Sequence, residues 1–157
     1  MNNFITFLIE CGFQEELTID LLKVTVTEPK KPDLRYLLEG KKLIGLHICG
    51  QEFEVDQWEA IMQGLNSATD LQVLYLADTP IKLLEFDRLL KLNFVNVSDN
   101  GHLERIELTD LGNLIELEAS FCPSLTAVFL RGKFTKLEKV DVSNGSNLMS
   151  LIFPNLF

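Results

Sequence analysis

Two histidines and three cysteines are all that this 157-residue chain offers as imidazole or thiol ligands. Cys11, Cys49 and Cys122 are odd in number and irregular in spacing, so they match neither a disulfide framework nor a zinc motif. They read as reduced thiols, and a cytoplasmic address is the expectation that follows. Basic charge is also short: 14 Lys and Arg face 23 Asp and Glu, a formal charge of −9. Such an excess repels phosphate backbones and anionic headgroups, which argues against nucleic acid and membrane surfaces as partners. No run reaches the roughly 18–20 uninterrupted apolar residues that a spanning helix needs. The apolar start from Met1 to Ile9 has no Lys or Arg before it, so it lacks a signal peptide's charged n-region.

The reactive residue types that do occur are badly placed for chemistry. His47 and Cys49 would share one face of a strand, but a closed zinc site wants four ligands and no others fall at matching spacing. His102 lies in the turn-forming run Asp99-Asn100-Gly101-His102. Cys122 has no identifiable base beside it. Glu116 and Glu118 also share a strand face and could crowd one another's ionisation, yet a solvated acidic surface explains them as well. Gly132-Lys133 lacks the upstream glycines of a phosphate loop. The chain is therefore expected to be no enzyme, with no catalytic residue, metal or cofactor.

What the sequence has in quantity is aliphatic side chain in a repeating order. Hydrophobic residues make up 46% of it, enough for one packed domain. A ladder of the form L-x-x-L-x-L begins at Leu71, Leu74, Leu76 and returns at Leu92, Val95, Val97, at Leu114, Leu117, Ala119 and at Leu137, Val140, Val142. Between these copies a second series obeys the same rule: Ile81, Leu84, Phe86; Leu103, Ile106, Leu108; Leu125, Val128, Leu130; Leu148, Leu151, Phe153. Successive starts fall 10 to 12 residues apart, so two half-units make a repeat of 21–23 residues. In L-x-L both side chains point to one face of a strand, because the pleat alternates with period two. Each half-unit then buries its apolar trio only against its neighbours, the defining economy of a solenoid.

This pattern resembles the leucine-rich repeat, whose longer form adds a buried Asn or Cys after the strand to satisfy the turn. The corresponding residues here are Thr79, Asn100, Cys122 and Gly145. Thr79 could do similar hydrogen bonding, whereas at Gly145 either Asn144 or Asn147 has to substitute or the turn is irregular. The resemblance implies an α/β fold: a right-handed leucine-rich repeat solenoid of parallel strands, mostly β, with short helices in its N-terminal part.

Upstream, Leu43, Leu46 and Ile48 repeat the strand pattern 28 residues before Leu71. The extra length predicts a helix, capped by Asp56 with Glu59 three residues on, whose apolar face is Trp58, Ile61, Met62 and Leu65, laid on the convex side. Leu21, Val24 and Val26 predict a first strand, ended by Thr27 to Pro32. Residues 1–20 match poorly, and Phe4, Phe7, Leu8 and Phe13 read as a capping plug, leaving 21–157 as the repeat domain. At Asn155-Leu156-Phe157 no polar cap follows the last strand. Two expectations follow: the chain is a fragment of a longer protein, the favoured one, or this edge self-associates with a second copy.

The outward residues of the first-half strands predict a partner surface. They run Val73, Tyr75, Ala77; Phe94, Asn96, Ser98; Glu116, Glu118, Ser120; Lys139, Asp141, Ser143. An apolar patch of Val73, Tyr75 and Phe94 beside Asn96, Glu116, Glu118, Lys139 and Asp141 has the anatomy of a protein-binding face. The rival is that Tyr75 and Phe94 merely pack on each other. The expected function is a non-catalytic protein–protein interaction module. The alternative is the sensing or targeting region of a larger signalling protein or secreted effector, and a sugar-active β-solenoid enzyme is a third, weaker reading.

Overall fold

The computed structural model describes residues 13–18, 21–26, 45–49 and 55–153. Phe4, Phe7 and Leu8 of the expected plug, Leu43, the Thr27–Pro32 stop and the segment 154–157 lie outside the described residues.

Parallel strands stack as a β-solenoid of about four turns with one short helix among the described residues. In chain order the elements are β1 (Phe13–Thr18), β2 (Leu21–Val26), β3 (Gly45–Cys49), α1 (Val55–Asn66), β4 (Val73–Ala77), β5 (Leu83–Asp87), β6 (Phe94–Asn96), β7 (Arg105–Thr109), β8 (Glu116–Glu118), β9 (Ala127–Arg131), β10 (Lys139–Asp141) and β11 (Ser150–Ile152). One sheet runs β1-β2-β3-β4-β6-β8-β10 and the other β5-β7-β9-β11. The first-half strands of the sequence pattern thus form one sheet and the second-half strands the other. The second halves are true strands, pairing in parallel throughout their sheet.

The central apolar residue of each half-unit lies directly beside its counterpart in the next coil. Val24, Leu46, Leu74, Val95, Leu117 and Val140 make one rank across the larger sheet. Leu84, Ile106, Val128 and Leu151 make the other. Leu46, Leu74, Val95 and Leu117 of the first rank meet Leu84, Ile106 and Val128 of the second in one continuous buried core. Each such burial is worth about 1.5–3 kcal/mol, which only stacking can collect.

Where later coils carry a second-sheet strand, the link from β3 to β4 carries α1. Its helical spacing sends Trp58, Ile61 and Leu65 into the same core, with Met62 packed against it. The helix starts at Val55, so Asp56 sits in its first turn, where a carboxylate meets the positive helix end. At the other extreme β1, inside the expected cap, pairs antiparallel with β2.

The corners explain the spacing. A residue with positive φ follows the strands at Asp78, Asp99, Phe121 and Asn144 on one corner and at Arg88, Asp110 and Gly132 on the other. Most are Asp, Asn or Gly, the types that reach the left-handed region at least cost. After six of them, from Arg88 to Asn144, a turn closes when the first leucine of the next half-unit donates its N–H to a carbonyl three residues back, as Leu103 does to Asn100 and Leu114 to Leu111. One corner is filled by the polar column Thr79, Asn100 and Cys122, the other by the buried apolar column Leu89, Leu111 and Phe134.

Asn100 serves the turn as the repeat pattern predicts. Its Nδ2 donates to the carbonyls of Leu76 (2.7 Å) and Val97 (2.8 Å), and Cys122 Sγ points at the same Val97 oxygen from the next coil (3.2 Å). Gly145 resolves differently. A Cβ there would lie 3.3 Å from the Val142 carbonyl, so the turn closes tightly with little room for a side chain. Asn147 reaches the preceding coil instead, donating to Pro123 O at 2.7 Å, while Asn144 stays local, 3.5 Å from Ser143 Oγ.

Candidate protein-binding face

All eight residues expected to meet a partner lie on the larger sheet, in two columns set by its register. Val73, Phe94, Glu116 and Lys139 follow one another in the first column. Tyr75, Asn96, Glu118 and Asp141 follow in the second, which His47 of β3 extends on the far side of Tyr75. The expected third column does not join them. Strands β6, β8 and β10 are only three residues long, so Ser98, Ser120 and Ser143 fall in the turns. Ala77 and Ser98 are buried, and the Ser120 hydroxyl lies 3.1 Å from that of Ser98. The outward face is therefore narrower than alternation along an extended strand predicts.

Its acidic half is fixed by bonds between coils. Lys139 Nζ donates to Glu116 (2.5 Å) and to Glu118 (2.7 Å). Asn96 Nδ2 donates to the other oxygen of Glu118 at 2.6 Å, while Asn96 Oδ1 accepts from the Ser98 N–H at 2.9 Å. Asp141 Oδ1 accepts from the Ser143 N–H at 2.9 Å. The bonds from Glu116 and Glu118 hold the Lys139 ammonium well above its ordinary range. Those from Ser143, followed by the charge of Lys139, hold Asp141 below the usual carboxylate range. Glu116 and Glu118 are thus bridged by a cation, so each faces an ammonium before it faces the other.

The apolar half is built on packing contacts. Val73, Tyr75 and Phe94 are half-buried. Register sets Phe94 beside Val73, and the ring contact of Tyr75 is with His47, edge-on at 4.3 Å between centroids. His47 is therefore a face residue as its strand position implies, and its contact with Tyr75 is visible only because β3 and β4 are in register. Cys49, the other half of the conceivable zinc pair, is an exposed free thiol. Among the described residues no group of three or more His, Cys, Asp or Glu could hold a metal ion.

Two further surface features escaped the sequence. Phe129 on the second sheet has the guanidinium of Arg105 4.7 Å and that of Arg131 5.1 Å from its ring centre, and Glu107 pairs with both arginines. That arrangement covers a ring which alternation alone would leave bare. Phe121 stands at a corner where its counterparts are Asp78, Asp99 and Asn144, with φ of 55° and 57% of its surface exposed. A bulky residue in the left-handed region is rare. Its position seven residues after Leu114, where Asp or Asn stands in sister coils, is the signal that could have found it.

No helix among the described residues is long and apolar enough to cross a membrane. No family model, curated protein or solved structure matches the chain.

Proposed function

We propose that this chain is a non-catalytic protein–protein interaction module of the leucine-rich repeat kind, and that it binds its partner through the two-column face of the larger sheet. The observation that carries this reading is the contrast within that face. Half-buried Val73, Tyr75 and Phe94 adjoin a polar group whose side chains are already tied to one another. Aromatic and aliphatic anchors supply binding energy, and a surface ordered before contact loses little entropy on binding. The corner columns support the family resemblance, since Asn100 and Cys122 do the turn-satisfying work that the pattern implies. Both described cysteines are free thiols, and Cys49 is exposed, which favours a reducing, cytoplasmic setting.

The test is a partner captured on the whole chain and titrated against variants. Phe94→Ala and Tyr75→Ala should each weaken its binding by about 1–3 kcal/mol, as hot-spot truncations do. Leu83→Ala, on the second sheet, should leave the affinity unchanged. A partner indifferent to both aromatic changes would place recognition elsewhere.

A further inference from the structure

We propose that the corner ridge of Asp78, Asp99 and Phe121 is a second docking site, and that its occupant is an arginine side chain from a basic segment of a protein partner. The guanidinium stacks on the Phe121 ring and pairs with Asp99. The site lies outside the two-column face and does not depend on it.

Asp78, Asp99 and Phe121 stand seven residues after Leu71, Leu92 and Leu114, in successive coils. The backbone joins them: the Asp78 N–H donates to Asp99 O and the Asp99 N–H to Ser120 O. Their φ angles are 49°, 58° and 55°, so one backbone conformation carries all three side chains. The ridge therefore advances by the inter-strand distance of about 4.8 Å per coil. All three residues are exposed. Phe121 is 57% exposed although the following coil is already paired against it, its N–H donating to Ser143 O at 3.0 Å. It is the one bulky side chain at this corner, held in the left-handed region at a steric cost that Asp78, Asp99 and Asn144 largely avoid.

The second sheet contains the same column with its cation in place. There Glu85, Glu107 and Phe129 follow one another in register: carboxylate, carboxylate, ring. Arg105 and Arg131 lay their guanidinium groups over the Phe129 ring and both pair with Glu107, and Phe129 is half-buried. The corner repeats that order in Asp78, Asp99 and Phe121, but no Lys or Arg occurs at 77–81, 98–102, 120–124 or 143–147. Neither Asp78 nor Asp99 has an ion pair among the described residues. The corner thus holds the anions and the ring of an arginine site without the arginine. A guanidinium fits because it stacks on a ring and bonds a carboxylate at once, whereas an ammonium is a compact, strongly hydrated charge. The formal charge of −9 favours the approach of such a basic partner.

Nitrogen-15 NMR on the whole chain decides it, in a titration with a blocked Gly-Arg-Gly-Arg-Gly peptide to about 10 mM, the range that exposed stacking and ion-pair contacts call for. The expected shifts centre on the amides of Asp99, Ser120, Phe121 and Cys122. The same peptide with lysine in place of arginine should bind about 3-fold more weakly. Phe121→Asn and Asp99→Asn should each weaken the arginine peptide by about 3- to 5-fold. Asparagine already occupies this corner at Asn144, so both variants keep the fold. Leu83→Ala, on the second sheet, should leave the binding unchanged. No binding, equal binding of the lysine peptide, or binding that survives Phe121→Asn overturns the proposal. Shifts centred on Tyr75, Phe94 or Glu116 also overturn it, and leave the face reading to its own partner titration.

Discussion

Asn100 Oδ1 accepts two hydrogen bonds from Thr79 one coil earlier, from its N–H at 2.9 Å and from its hydroxyl at 2.7 Å. The same carboxamide donates to Leu76, Val97 and Ser98, so one buried side chain joins two coils and closes the turn between them. Asn100→Ala should therefore lower stability by about 3 kcal/mol, since several buried backbone groups lose their partner at once. The urea midpoint is the readout. Asn100→Cys should cost less than half as much, because Cys122 already does a thiol's version of the work at the next corner.

The left-handed corners predict opposite signs for two substitutions. A Cβ on Gly132, at φ of 78°, would lie 2.1 Å from Asp110 Oδ1, which also accepts the Lys133 N–H at 2.9 Å. Gly132→Ala should cost about 1–3 kcal/mol, the price of strain plus a displaced cap. Gly101→Ala, with nothing within 4 Å, is the matched control and should change little. Phe121→Asn should stabilise by about 1 kcal/mol, because asparagine tolerates this region. Chemical denaturation of the three variants checks all of them; a stabilised Phe121→Asn chain that binds its partner less tightly would mark Phe121 as strained for use.

Burial pushes the Cys122 thiol up from its ordinary value of 9.0, against a lowering hydrogen bond from the Asn100 backbone. A thiol that stays protonated when folded ionises first in the unfolded chain. Stability from this site is thus complete below the unfolded value and declines as pH rises towards the folded one. Relative to Cys122→Ala, the wild-type chain should lose stability as pH rises above the ordinary thiol value of 9.0. Thiol labelling followed by peptide mapping should find exposed Cys49 modified in the folded state and buried Cys122 only on unfolding.

The solenoid was legible because its rule is local. Alternation at Leu74-x-Leu76 or Leu117-x-Ala119 says which side chains turn inward without reference to any other coil, and eight half-units obey it. The turn role of Asn100 was legible only through the resemblance to the leucine-rich repeat, which implies a buried polar residue after the strand. The width of the face was not: alternation counted Ser98 as outward, but the chain leaves the strand after Asn96, whose side chain caps the turn.

The inward side, the corner positions and the length of a coil were determined by the sequence alone, since period two and the turn residues act within a dozen residues. Neighbours were decided only by the tertiary structure. That His47 meets Tyr75, that Lys139 bridges Glu116 and Glu118, and that Arg105 closes over Phe129 all depend on residues about 20–30 positions apart coming into register. Contacts between coils are a property of the stack, and no segment carries them before the stack forms.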